Sequence, residues 1–191
     1  MNQKTYEFGA SRFTIAFGDI TSTAAQVIVS SDDHYITMNG GVSASILRAG
    51  GQEIMIDAAK KVPAKVGDVV VTTAGRLRAQ YIFHAITIDR QAGKADAKQT
   101  VRRSVSRCFD LVDALALDSI AFPAIGAGVA KFSYEDVAVE MADVIANRLK
   151  GAARPLQVTL FLFDRFRRME QIDFVQSSWR CLSCTLGPPV G

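Results

Sequence analysis

Residues 119–129 read SIAFPAIGAGV, and this stretch, together with the helical pattern at 133–150, decides the fold. Positions 119–125 form a short, nearly continuous apolar run, which fits a strand covered on both faces. Gly126 and Gly128 then make a tight turn. Beyond it Ser133 is placed to cap a helix, with Asp136 three positions on. Val137, Met141, Val144, Ile145 and Leu149 share one face of that helix until Gly151 ends it. A buried strand, a glycine turn and an amphipathic helix make one unit of an α/β fold.

Outward from there, runs of the same kind recur at 13–17, 26–29, 68–73, 81–86 and 158–163. Helical patterns separate several of them: 43–49, stopped by Gly50-Gly51; 52–61; and 97–117. In the last, Val101, Val105, Cys108, Leu111, Val112 and Leu115 form one apolar stripe. The alternation predicts a three-layer α/β/α sandwich around a central mixed, mostly parallel sheet. The chain has 191 residues, 49% hydrophobic and 21% charged. That balance excludes wholesale disorder and predicts one domain over 1–177, with a C-terminal tail over 178–191.

Other function classes fall away on composition. No stretch reaches the roughly 18 consecutive apolar residues of a membrane span. The opening MNQKTYEFGA lacks a signal-peptide core, so a cytoplasmic protein is expected. A net charge of +3 without a basic stripe argues against a nucleic-acid reader. Arg165, Arg167 and Arg168 sit beside Asp164 and Glu170 and read as a solvated helix start. Of Cys108, Cys181 and Cys184, the last two make a single CxxC pair, half of a tetrahedral zinc site, and no metal is expected.

Ligands in such sheets bind outside the carboxyl ends of the strands, where three loops stand out. The first is Gly18-Asp19-Ile20-Thr21. Its carboxylate could accept from an exocyclic amino group and reject a carbonyl at that edge; Asp19 could equally cap the next turn. The second runs over 30–42, SSDDHYITMNGGV, a polar loop ending in Gly40-Gly41 before a helix. Glycines there let backbone N–H groups approach a phosphate, with Asp32, Asp33 and His34 in reach. The third, 126–131, is a second glycine-rich anion cradle, although it lacks the GK[ST] ending of a P-loop. Together the three describe a pocket for an adenine nucleotide with a diphosphate.

In order and spacing, GDIT, the VIV strand with its polar loop, GGV, YIFHAI around His84 and SIAFPAIGAGV resemble the macrodomain family of ADP-ribose-binding proteins. The likeness spans roughly residues 10–165. It implies that Asp19 binds the adenine amino group with Ile20 beside the base. Gly40, Gly41 and Val42 would line the diphosphate and distal ribose, and Gly126, Ala127, Gly128 and Val129 the opposite wall. Phe163, with Asp164 next to it, would pack near the adenine. Gly18, Ser31, His34, Asn39, Pro123, Ala130 and Phe132 complete the implied lining, and His84 reads as a structural histidine.

The departures from the family pattern lie at the distal-ribose end. Where many macrodomains carry N-A-A-N, this chain has Ser30-Ser31-Asp32-Asp33. Ser43 stands after GGV where the mono-ADP-ribosyl hydrolases have Asp, and Asn39 replaces the first glycine of the usual triple. Ala130 occupies the place of a usual aromatic, with Phe132 two positions later. The expectation is therefore a binder of ADP-ribose, or of a derivative modified at the distal ribose, without a further cofactor. Such a module could belong to a larger effector in antiphage signalling. The alternative is an ADP-ribosyl hydrolase or O-acetyl-ADP-ribose deacetylase in which Asp32 or Asp33 activates a water.

Overall fold

The computed structural model describes residues 3–88, 96–128 and 130–163. Seven strands, β1 (Gln3–Phe8), β2 (Ser11–Phe17), β3 (Val27–Asp33), β4 (Val69–Thr73), β5 (Tyr81–Ile88), β6 (Ser119–Pro123) and β7 (Gln157–Leu162), form one sheet in the order β1-β2-β7-β6-β3-β5-β4. The five central strands run parallel, and an antiparallel strand closes each edge. Four helices, α1 (Gly41–Gly50), α2 (Glu53–Ala58), α3 (Ala97–Ala114) and α4 (Tyr134–Lys150), cover the two faces.

Alternation along each central strand sorts side chains into two cores. Val27, Val29, Phe83, Ala85, Ile120 and Phe122 pack with Val105, Phe109, Met141 and Ile145 of α3 and α4. Their neighbours Ile28, Ile82, Ile86 and Ala121 pack with Ile46 of α1 and Ile54 and Ala58 of α2. Strands apolar on both sides between two helical layers make the three-layer α/β/α sandwich. Helix α4 starts where its residue types favour it: Ser133 Oγ accepts the Asp136 N–H at 3.1 Å. Glu135 and Asp136 stand at its positive end, with Arg148 and Lys150 at the other.

Two differences from the sequence pattern matter. Strand β1 is an additional element, an edge strand of exposed polar and buried aromatic residues that the apolar runs do not reveal. Strand β3 is longer than the apolar run 26–29. It continues through Ser30, Ser31, Asp32 and Asp33, which polarity alone assigns to a loop. Pairing with β5 carries it on, Ser31 opposite Ala85, Asp32 opposite Ile86 and Asp33 opposite Ile88, with a register shift between the two aspartates. The tail boundary at 177/178, the 165–168 arginines and the CxxC pair lie outside the described residues.

Candidate functional site

The five parallel strands end side by side, and a cavity of about 650 Å³ opens over their carboxyl ends. That volume suits a nucleotide-sized ligand. Its walls come from the loops after β2 (Gly18, Asp19, Ile20) and β6 (Pro123, Ala124, Gly126, Ala127, Gly128, Ala130), the start of α1 (Asn39, Gly40, Gly41, Val42), Ser31 of β3, and the end of β7 (Phe161, Leu162, Phe163).

Each wall has a local cause. Asp19 caps the short 3-10 turn Ile20–Ser22, accepting the Thr21 N–H at 2.9 Å and the Thr21 hydroxyl at 2.8 Å. Both bonds fall on Oδ1, so Oδ2 keeps its lone pairs for a ligand. The two readings of Asp19, turn cap and acceptor, are therefore compatible. At α1 the N-cap Gly40 supplies no side chain to the first turn. The first amides of the helix are thus presented at its positive end, where Gly41 adopts φ +58°.

Across the cavity, Gly126 adopts φ +77°, and a Cβ there would lie 2.3 Å from the Phe132 ring. The Gly126 N–H donates to Ser31 Oγ at 3.2 Å, its carbonyl accepts the Phe132 N–H at 3.1 Å, and Gly128 has open space where a Cβ would be. Ser31 Oγ also meets Thr87 Oγ1 at 3.0 Å, which ties this loop to β3 and β5. The two cradles face each other across the cavity.

The aspartate–histidine group is corrected. Asp32, Asp33 and His34 are buried and are not among the residues that line the cavity. Because β3 alternates, Ser31 turns toward the cavity and Asp32 toward the opposite face. There Asp32 Oδ2 meets His84 Nδ1 at 2.8 Å, and His84 Nε2 meets Thr72 Oγ1 at 2.8 Å. Asp33 closes the next turn. Its carboxylate accepts the Tyr35 N–H at 3.0 Å, the Thr37 N–H at 3.3 Å and the Thr37 hydroxyl at 2.5 Å. His34 packs its ring on Tyr35, centroids 4.2 Å apart. The water-activating carboxylate expected of Asp32 or Asp33 is therefore not presented to the cavity. Phe132 is also buried, wedged beneath Gly126, rather than facing the ligand space. Val129 and Asp164 lie outside the described residues.

The structure adds Ala44, Ser45, Arg48, Ile88, Ala124, Tyr134, Phe161 and Leu162 to the lining. Gly41, Ser45 and Arg48 lie at helical spacing, so projecting α1 from its glycine start would have found the last two. Tyr134, directly after the Ser133 cap, supplies an aromatic side chain where Phe132 does not. Cys108 is fully buried; desolvation pushes its thiol up and leaves it an inert core residue.

The Macro domain family model matches residues 29–141. The chain belongs to the macrodomain family. It is 32% identical over 157 residues, 80% of this chain and 92% of the other, to a protein of Pantoea vagans (strain C9-1) named O-acetyl-ADP-ribose deacetylase 1. The Oceanobacillus iheyensis macrodomain with ADP superposes with a TM-score of 0.81 at 20% identity, covering 97% of this chain and 98% of that one. The Trypanosoma brucei macrodomain in complex with ADP-ribose gives 0.75 at 18%, covering 89% and 68%. At such identities the structural likeness establishes the shared macrodomain fold.

Proposed function

We propose that this macrodomain binds ADP-ribose, or a derivative modified at the distal ribose, as a recognition module. One observation carries the reading: two backbone anion cradles, at the start of α1 and over Gly126–Gly128, face one cavity in which Asp19 is the single carboxylate among the described lining residues. The cradles suit a diphosphate, because amides and a helix dipole attract phosphate without a counter-ion. Asp19 suits the adenine amino group, because an ionised carboxylate only accepts. The relatives named for ADP-ribose chemistry and solved with ADP or ADP-ribose support the same ligand class. The reading calls for no cofactor besides the nucleotide.

Recognition without turnover is favoured because neither Asp32 nor Asp33 offers its carboxylate to the cavity. A messenger derived from NAD, carrying its modification on the distal ribose, would place that group near Asn39, Ala130 and Tyr134. The role in an antiphage effector belongs to this reading as a proposal.

A second reading, an O-acetyl-ADP-ribose deacetylase, is favoured by the name of the Pantoea relative. It must work without Asp32 or Asp33, by a water held against the bound ester by the ligand's diphosphate and the Ser31 and Asn39 side chains. Titration calorimetry with ADP-ribose, then a single-turnover assay with the acetyl ester, separates the two. Micromolar binding without acetate release is the expected result. Asp19→Ala should weaken that binding by about 1.5–3 kcal/mol, the range for a hydrogen bond to a charged group. Absence of ADP-ribose binding below millimolar would end both readings.

A further inference from the structure

The ADP-ribose reading, on which the following rests, leaves without a role a charged cavity residue that belongs to no sequence motif. Asp19 and Arg48 are the only charged side chains among the described residues lining the cavity. They come from neighbouring elements, since the 3-10 turn that Asp19 caps packs on α1. Arg48 lies two turns along α1 from Gly41, about 10 Å along the axis from the anion cradle. That distance sets it apart from the cradle, on the helix against which the Asp19 turn packs.

Asp19 and Arg48 do not pair with each other. Asp19 engages one oxygen with Thr21. Arg48 engages one donor with Ser45 Oγ, at 2.8 Å, and among the described residues it has no carboxylate partner. A guanidinium carries five N–H donors and no acceptor; a carboxylate is the reverse. This part of the cavity thus presents an acceptor and a donor that do not satisfy each other and are open to a ligand edge.

An adenine shows the complementary pair on one edge: the N6 amino donor beside the N7 acceptor. Guanine shows two acceptors there, O6 and N7, so its O6 would meet the carboxylate. We infer that Arg48 is a specificity-determining residue that donates to purine N7 while Asp19 accepts from the N6 amino group. The two then read adenine as a donor–acceptor pair, and Asp19 alone does not account for the selectivity.

The test uses the whole chain and two ligands: ADP-ribose, and its 7-deaza analogue, in which N7 is replaced by C–H. Wild type should bind the analogue roughly tenfold more weakly, the effect of one hydrogen bond to a charged group. Arg48→Met, which keeps the stem and removes the donors, should bind both ligands alike, at the level of wild type with the analogue. Arg48→Lys, with a compact ammonium in place of the planar fork, should recover part of the discrimination. Arg48 is exposed, so these variants should keep the wild-type circular dichroism and melting curve. If removing N7 costs wild type nothing, or costs Arg48→Met as much as wild type, the inference falls while the ADP-ribose reading stands. If Arg48→Met weakens both ligands equally and keeps the tenfold gap, Arg48 serves some other part of the ligand, and the inference falls again. If wild type binds neither ligand, the ADP-ribose reading fails and takes this inference with it.

Discussion

The open and the buried surroundings of β3 at its carboxyl end are built from opposite materials. In the cavity over the strand ends stand Ser31, two glycine cradles and helix amides, with Asp19 and Arg48 the only charged side chains among the described lining residues. Within the sheet's α1–α2 face, Asp32, His84 and Thr72 form a chain of buried hydrogen bonds, with Ser30 opposite His84 in the strand register. The residue types usually associated with chemistry lie where the ligand space is absent. The ligand space is lined mostly by groups that every residue has. A phosphate-binding site can be made of backbone because amides already carry the needed dipoles. A buried hydrogen-bonded chain needs side chains, and its service is to hold strands together.

Breaking the buried side should show most. Asp32→Ala removes a carboxylate that lies within a fully buried pair. Its loss should cost about 3–5 kcal/mol of stability, because it leaves His84 Nδ1 unsatisfied beside a new cavity in a dry core. Chemical denaturation measures that cost, while the affinity of the remaining folded protein for ADP-ribose should stay within about threefold. A variant of normal stability that fails to bind would reverse the assignment and put Asp32 in the site.

On the cavity side the two glycines of one loop should part company. Gly126→Ala combines a left-handed backbone with a Cβ 2.3 Å from the Phe132 ring. It should destabilise by about 2–3 kcal/mol, the usual cost of overpacking plus an αL penalty. Gly128 has open space at its Cβ position. Gly128→Val should leave the melting temperature within a degree or two and weaken ADP-ribose by about tenfold or more, since its methyls take ligand volume. Equal stability losses for the two variants would mean that the loop is a packing element throughout.

Legibility in the sequence divides along the same line. Alternating buried strands and capped helices announce the sandwich, because apolar periodicity is local information. The glycine loops announce the cradles for the same reason. Ser30–Asp33 mislead because polarity suggests a loop, whereas a strand leaving the core can carry polar residues when its neighbours satisfy them. His84, 52 positions away, supplies that partner for Asp32, and Thr72 on β4 supplies one for His84 in turn. Only the sheet register brings them together. β1 escapes because an edge strand has one wet face and a weak signal. Arg48 escapes because a lone arginine on a short helix looks solvated until the helix face is known to border a cavity.

The smallest effect expected is the one that separates a charge role from a scaffold role at Asp33. Both of its oxygens are engaged by the next turn, from Tyr35 and Thr37. Asp33→Asn keeps one carbonyl acceptor and the shape, so it should cost about 0.5–1.5 kcal/mol of stability, one hydrogen bond's worth. That turn leads into Asn39 and Gly40, so any effect on binding should pass through loop order and reach all ligands together. Plain ADP-ribose and a conjugate carrying a cationic group on the distal ribose should shift by the same factor. A loss confined to the cationic conjugate would show that the carboxylate's charge is felt in the cavity despite its burial, because only the charge, and not loop order, distinguishes the two ligands.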